Sequence, residues 1–188
     1  MPAFDPVTTA LVLIDLQNGI VGGATAPRGG AEVVAVARDL AARFRERGAP
    51  VVLVHVGWRD DGTDRPSSAV DAPMPVPPGG LPEGWSDLVE GLRGSDDLVV
   101  LKHHWGAFTG TDLDLQLRRR GVRTIVLAGI ATNFGVESTA RAGWELSYDV
   151  VVVEDATTSR SAELHDFAIT RILPQIARVV AAEDVAFA

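Results

Sequence analysis

"VRTIVLAGIATNFGVESTARAGWEL" occupies residues 122–146, and its reading decides the fold. The first part, 122–131, is an unbroken apolar run, the signature of a parallel strand buried on both faces. From 135 to 147 the pattern changes to that of a helix. Between them lies a short turn, "ATNFG", ending on Gly135 where the helix is expected to start. The first N–H groups of a helix have no partner within it and attract negative charge, and a glycine there lets a ligand approach the backbone closely. The turn therefore reads as an anion or oxyanion pocket, yet its tip carries no side chain that could react.

Working outward, the same alternation runs along the chain. Strands are expected at 8–17, 49–58, 98–105, 122–131 and 148–156, with a short sixth at 177–183. Helix patterns occupy 30–48, 111–120, 135–147 and about 161–173. In the first of these Val33, Val36, Ala37, Leu40, Ala41 and Phe44 recur at helical spacing, and Gly48 supplies the stop. Continuous strands alternating with amphipathic helices predict an α/β fold with a six-stranded parallel sheet covered on both faces. The length suits one domain over 1–188. Residues 58–84, rich in Pro, Gly and Asp, break the pattern as one long loop, expected to act as a lid or an interface element.

Ligands in open parallel sheets bind beyond the carboxyl ends of the strands. The groups expected there are Asp15 and Gln17 after the first strand, His55 and Trp58 after the second, and Lys102, His103, His104, Trp105 and Phe108 after the third. Ala131, Thr132, Asn133, Phe134 and Gly135 follow the fourth, and Glu154 and Asp155 the fifth. An acid directly after "LVLI" is costly to bury unless it is paired. Of 17 basic residues only Lys102 is a lysine, and it falls at the functional end of a strand. Lysine is a compact charge able to lose its proton, which the arginine fork cannot do. His103 and His104 alternate across a strand, so they lack the spacing of a metal-binding pair. His55 reads as a satisfied strand histidine, and Glu154 with Asp155 as caps for a helix beginning near Ser159.

The charge of −8 argues against nucleic acid and anionic membranes as partners. No apolar run approaches the roughly 18 residues of a membrane span, and the N-terminus lacks signal-peptide character, so a cytoplasmic location is expected. The absence of cysteine excludes disulfides, thiolate metal sites and a cysteine nucleophile.

The segments "ALVLIDLQNG", "LKHHWGAFTGTDLDLQLRRRGVRTIVLAGIATNFGVESTARAGWELSYDVVVVEDA" and "RILPQIARVVAAEDV" carry a resemblance. With their D-x-Q, K-x-x-x-x-A-F and G-I-A-T-N patterns, the chain resembles the isochorismatase-like hydrolases. The resemblance implies a three-layer Rossmann-like fold and a site built on an Asp–Lys–Cys triad. Asp15 and Lys102 match the first two members, and Gly135 stands in the cysteine's place. It also implies a cis peptide at Ile130–Ala131 and an oxyanion hole from the N–H groups of Ala131 and Gly135. Gln17, Trp105, Phe108, Ala131, Thr132, Asn133 and Phe134 are expected to bind substrate. No metal or other cofactor is expected, since "VGWRDDGTDRP" lacks the histidines of the metal-binding nicotinamidase branch.

The implied partner is a small-molecule substrate, a small acid, and the chain is expected to form a homo-dimer or homo-tetramer. Trp58, Trp85, Trp105 and Trp144 offer aromatic surface suited to an interface. Three activities follow from a triad without its thiol. One is acid-catalysed hydrolysis of a vinyl ether, with Asp15 as general acid and Lys102 orienting it and helping to hold substrate carboxylates. The second is C–N or ester hydrolysis by water that Asp15 activates. The third is a binding or scaffold role without catalysis.

Overall fold

A computed structural model of the chain describes residues 3–73 and 80–188. Six strands form one sheet: β1 (Thr9–Ile14), β2 (Val51–Val56), β3 (Leu98–Lys102), β4 (Thr124–Ile130), β5 (Asp149–Thr158) and β6 (Arg178–Val180). Their order is β3-β2-β1-β4-β5-β6, and every neighbouring pair is parallel. The α/β, Rossmann-like sheet that the sequence predicts is the one observed. The order reverses direction between β1 and β4, so the crevice beyond those two strand ends is where such sheets bind ligands.

Alternation along each strand splits the core in two. On one face Leu11, Leu13, Val51, Leu53, Val126, Ala128, Val151 and Val153 pack against helix α2 (Gly30–Glu46) through its Val33, Val34, Ala37, Leu40, Ala41 and Phe44. On the other, Ala10, Val12, Ile14, Val52, Val54, Ile125, Leu127 and Val152 pack against α3 (Leu113–Arg119) and α4 (Glu137–Glu145). A short α1 (Asn18–Val21) follows β1, and α5 (Ala162–Phe167) follows β5. No helix among the described residues is long and apolar enough to cross a membrane.

The expected boundaries shift in three informative places. The helix read as starting at Gly135 begins instead with a π-helical turn, Thr132–Val136, which leads into α4. The helix expected over about 161–173 ends as α5 at Phe167 and continues through a π turn, Ala168–Ile172. β5 runs past the expected residue 156 to Thr158, and its register against β4 jumps from Leu127↔Val152 to Gly129↔Thr157. That bulge carries Glu154 and Asp155 away from cap positions. The side chain of Ser161, not of either acid, caps α5 by accepting from Leu164 N, while Asp155 Oδ1 accepts from Ala182 N.

The described part of the 58–84 loop contains no helix or strand, and residues 74–79, within that loop, lie outside the described residues. Its base is closed: Trp58 stacks on Trp85 with ring centroids 6.0 Å apart, and Trp58 Nε1 donates to His103 O.

β1 and β4 can approach as they do only because of Gly129, which sits at φ +121°. A Cβ there would lie 2.0 Å from Ile14 O, against backbone that cannot yield. Gly129→Ala should therefore cost about 3 kcal/mol or more, combining overpacking with a disfavoured φ, as measured by urea unfolding.

Candidate active site

Asp15 follows the last residue of β1, and its φ of +53° turns the chain out of the strand. Aspartate is among the few residues that tolerate this left-handed conformation. The turn directs the carboxylate under the neighbouring strand ends, where Asp15 is only 5% exposed. Lys102, the last residue of β3, arrives from two strands away and is 2% exposed. Its Nζ donates to Asp15 Oδ2 at 2.8 Å, to Trp105 O at 2.7 Å and to His104 O at 3.2 Å. These three acceptors take all three ammonium protons, so Lys102 is fully occupied in holding Asp15 and the turn 104–105. The role expected for it in gripping substrate carboxylates has no donor left to serve it.

Gly135 faces this pair. A Cβ built on it would lie 2.8 Å from Ile14 Cγ2, 3.1 Å from Asp15 Oδ2 and 3.5 Å from Lys102 Nζ. The position where the resemblance places a cysteine thus adjoins the acid and the lysine, but the Ile14 methyl crowds the place of its side chain. The peptide bond Ile130–Ala131, at the end of β4, is cis.

The buried pair has an asymmetric carboxylate. Asp15 Oδ2 accepts from Lys102, whereas Oδ1 is buried and has no hydrogen-bond partner. Burial pushes the Asp15 carboxyl from 3.8 up to about 6, outweighing the opposing pull of the Lys102 charge and its hydrogen bond. A proton on this group belongs on Oδ1, because Oδ2 already receives one from the ammonium. The site therefore holds an acid able to give or take a proton near neutrality, beside the Lys102 ammonium and a bare backbone turn.

The remaining expected residues fall into two groups. Trp105, 52% exposed, meets Phe134 edge-on with centroids 4.7 Å apart, and the Arg160 guanidinium lies 5.6 Å from the Phe134 ring centre. Ala131 and Asn133 are half-buried on the turn, and the Asn133 side-chain oxygen accepts from Ser159 Oγ. The others are spent on structure. Gln17 is fully buried: its Nε2 donates to Val56 O and Trp85 O, and its Oε1 accepts from Val56 N. Both ends of its amide being engaged, it laces the β1 end to the β2 end rather than reaching for a ligand. Phe108 stacks on Tyr148 and packs beneath α4. Thr132, fully buried, is hydrogen-bonded to His165.

Two residues at this site were invisible in the sequence. Ile14 lies inside the 8–17 apolar run and His165 inside the helix pattern at about 161–173, and neither carries a signal that sets it apart from its neighbours. His55 and His103 make backbone contacts, to Ser86 O and Gly57 O. Among the described residues no group of three or more His, Cys, Asp or Glu side chains is placed to hold a metal ion. Two surface hollows, of about 340 Å³ near Asp97 and about 580 Å³ near Ala182, include none of the Asp15 cluster.

The family model for the isochorismatase domain matches residues 9–184, which span both the sheet and this cluster. The chain belongs to the isochorismatase family. It is similar to the isochorismatase family protein YecD of Escherichia coli O157:H7, 52% identical with 95% of this chain and 94% of that protein covered. It is also similar to the ureidoacrylate amidohydrolase RutB of Methylobacterium radiotolerans, 36% identical over 90% of this chain and 75% of that one. The solved structure of an isochorismatase family protein from Burkholderia thailandensis superposes with a TM-score of 0.92 at 50% identity, covering 98% and 96% of the two chains.

Two measurements test this isochorismatase-family site. Folding favours the protonated form of Asp15, so its stabilising contribution is complete below about pH 4 and is lost as the pH rises to about 6. The stability of wild type minus that of Asp15→Asn should fall by on the order of 2–3 kcal/mol across that window and stay level above it, as read by denaturant unfolding at each pH. Gly135→Cys should lose about 1–3 kcal/mol through overpacking against Ile14. In a double-mutant cycle with Ile14→Ala, the pair should be more stable than the two single losses predict by about 1 kcal/mol.

Proposed function

We propose that this isochorismatase-family hydrolase acts on a small anionic metabolite without a covalent intermediate, with Asp15 as general acid in vinyl-ether hydrolysis. The observation that carries the reading is the Asp15 carboxyl itself: buried, raised to about 6, with Oδ2 pinned by Lys102 and Oδ1 unpartnered. A general acid works best when its pKa lies near the working pH, and burial supplies that shift here despite the adjacent cation.

In the proposed reaction the Oδ1 proton moves to the methylene carbon of an enol-ether substrate, leaving an oxygen-stabilised cation on the adjoining carbon. Water adds to that carbon, and its released proton returns to Asp15. The resulting hemiketal collapses to a keto acid and an alcohol, so one water is consumed and Asp15 is regenerated. Lys102 keeps the carboxylate oriented throughout. The N–H groups of Ala131 and Gly135 bind an anionic oxygen, and the absence of a side chain at 135 leaves the carboxylic acid facing the substrate rather than a thiol. Trp105 and Phe134 form the apolar wall at the entrance.

The amidohydrolase named among the similar proteins supports a second reading, in which ionised Asp15 activates water against a C–N bond. The two make opposite demands on one proton. Acid catalysis needs Asp15 protonated, so kcat/KM should decline as pH rises through about 6, whereas base catalysis needs it ionised and the rate should climb through the same window. The deciding assay is pyruvate release from isochorismate by the purified protein. Activity that falls about 100-fold or more in Asp15→Asn is the expected result. No pyruvate from the wild type would remove this substrate, and activity surviving in Asp15→Asn would remove the acid role.

A further inference from the structure

Beneath the 131–135 turn lies a chain of polar side chains, buried at one end and half-exposed at the other, that the reaction above does not use. Thr132 Oγ1 is 2.8 Å from His165 Nδ1, and His165 Nε2 is 3.3 Å from Glu154 Oε1. Arg28 closes the chain, its Nη2 donating to the same Glu154 oxygen at 2.7 Å and its Nη1 to the Glu154 carbonyl at 3.3 Å. Thr132 is fully buried and His165 is 1% exposed, so neither imidazole nitrogen meets solvent. Four separate segments contribute: the turn after β4, α5, the β5 bulge and the loop before α2.

The protonation pattern of this chain is constrained. Half-burial of Glu154 acts to raise its carboxyl, but hydrogen bonds from Arg28 and His165 outweigh it and hold the group below its ordinary value. A carboxylate only accepts, so Nε2 of His165 carries a proton. In the neutral ring Nδ1 is then an acceptor and the Thr132 hydroxyl donates to it, while in the charged ring Nδ1 donates to the hydroxyl. The link to Thr132 survives either state, as a structural tie should.

Thr132 opens the π turn that carries Gly135 over Asp15. Within that turn Val136 N reaches back five residues to Ala131 O at 3.2 Å, a wide ring of the kind found mostly as single turns. The turn is also held by its neighbours: Thr139 Oγ1 donates to Gly135 O at 2.7 Å, Ser159 Oγ donates to Asn133 Oδ1, and Thr132 is tied to His165. We propose that His165 is a positioning residue: braced by Glu154 and Arg28, it draws Thr132 toward α5 and thereby keeps the 131–135 turn closed over Asp15. This tie concerns the same site as the proposed reaction but is independent of which reaction occurs there, so each can fail without the other.

The test needs no substrate. In Thr132→Val, which removes the hydroxyl at nearly constant volume, the amide of Val136 should exchange about tenfold faster relative to that of Leu127 in β4. The Asp15 carboxyl, followed by carbon NMR, should titrate lower by about half a pH unit or more as water gains access. His165→Leu should do the same, and His165→Asn, whose amide can stand in for Nδ1, should restore most of the wild-type behaviour. Leu117→Ala in α3, a core loss of similar size remote from the tie, should leave both readouts at wild-type values. Glu154→Gln, at the half-exposed end of the chain, should move them in the same direction by less, and it supplies the measurement should Thr132→Val not fold. Unchanged Val136 exchange and Asp15 titration in the folded variants would overturn the proposal, as would equal changes in Leu117→Ala. An ordinary Asp15 titration in the wild type, with Val136 exchange still dependent on His165, would leave the tie standing and remove the acid mechanism.

Discussion

Everything distinctive about this molecule depends on one buried ion pair, Asp15 with Lys102 at 2.8 Å. Burying two charges is expensive unless both are well paired and hydrogen-bonded. The lysine meets that condition completely, with three acceptors, while the acid meets it on one oxygen only. The imbalance is the chemistry. A carboxylate satisfied on both oxygens would sit quietly ionised, whereas this one is held where gaining a proton relieves its desolvation. Lys102 pulls the carboxyl toward ionisation without overcoming its burial, and by engaging Oδ2 it leaves Oδ1 without a partner.

The sheet exists to make that pair possible. β1 and β3 are separated by β2, so the two charges meet only because both strands end at the same level and the chain turns out of β1 through a left-handed aspartate. On the other side β4 must come close enough for its turn to cover the acid, and Gly129 permits this contact with the Ile14 backbone. The same residue, Ile14, then fills the space beside Gly135. At the position where the resemblance places a nucleophile, a Cβ would meet the Ile14 methyl at 2.8 Å.

Much of this was legible in the sequence because the relevant signals are local. Unbroken apolar runs marked the strands, their alternation with amphipathic helices required a parallel sheet, and a parallel sheet locates its site at the strand ends. Asp15, Lys102 and Gly135 could be named because each is chemically out of place where it stands: an acid after "LVLI", the single lysine of an arginine-rich chain, a glycine at a strand–helix tip. Gln17, Thr132 and Phe108 stood in the same stretches and carried the same kind of signal, yet their side chains turn inward to backbone, histidine and tyrosine. Spacing tells which segment a residue occupies; it does not tell what that side chain finds on arrival.

The sequence by itself determined the order of the elements and the parallel sheet, which follow from periodicity, and it marked Asp15, Lys102 and Gly135 as three positions that the fold brings together. Only the tertiary structure decided that burial outweighs Lys102 at Asp15, that Ile14 crowds the cysteine's place, and that His165 reaches Thr132 across 33 residues. The physical reason is that desolvation, steric exclusion and long-range hydrogen bonds depend on distances between segments remote in the chain. Those distances are set by the register of the sheet and by the three-residue bulge in β5, and neither leaves a mark in the local pattern of residues.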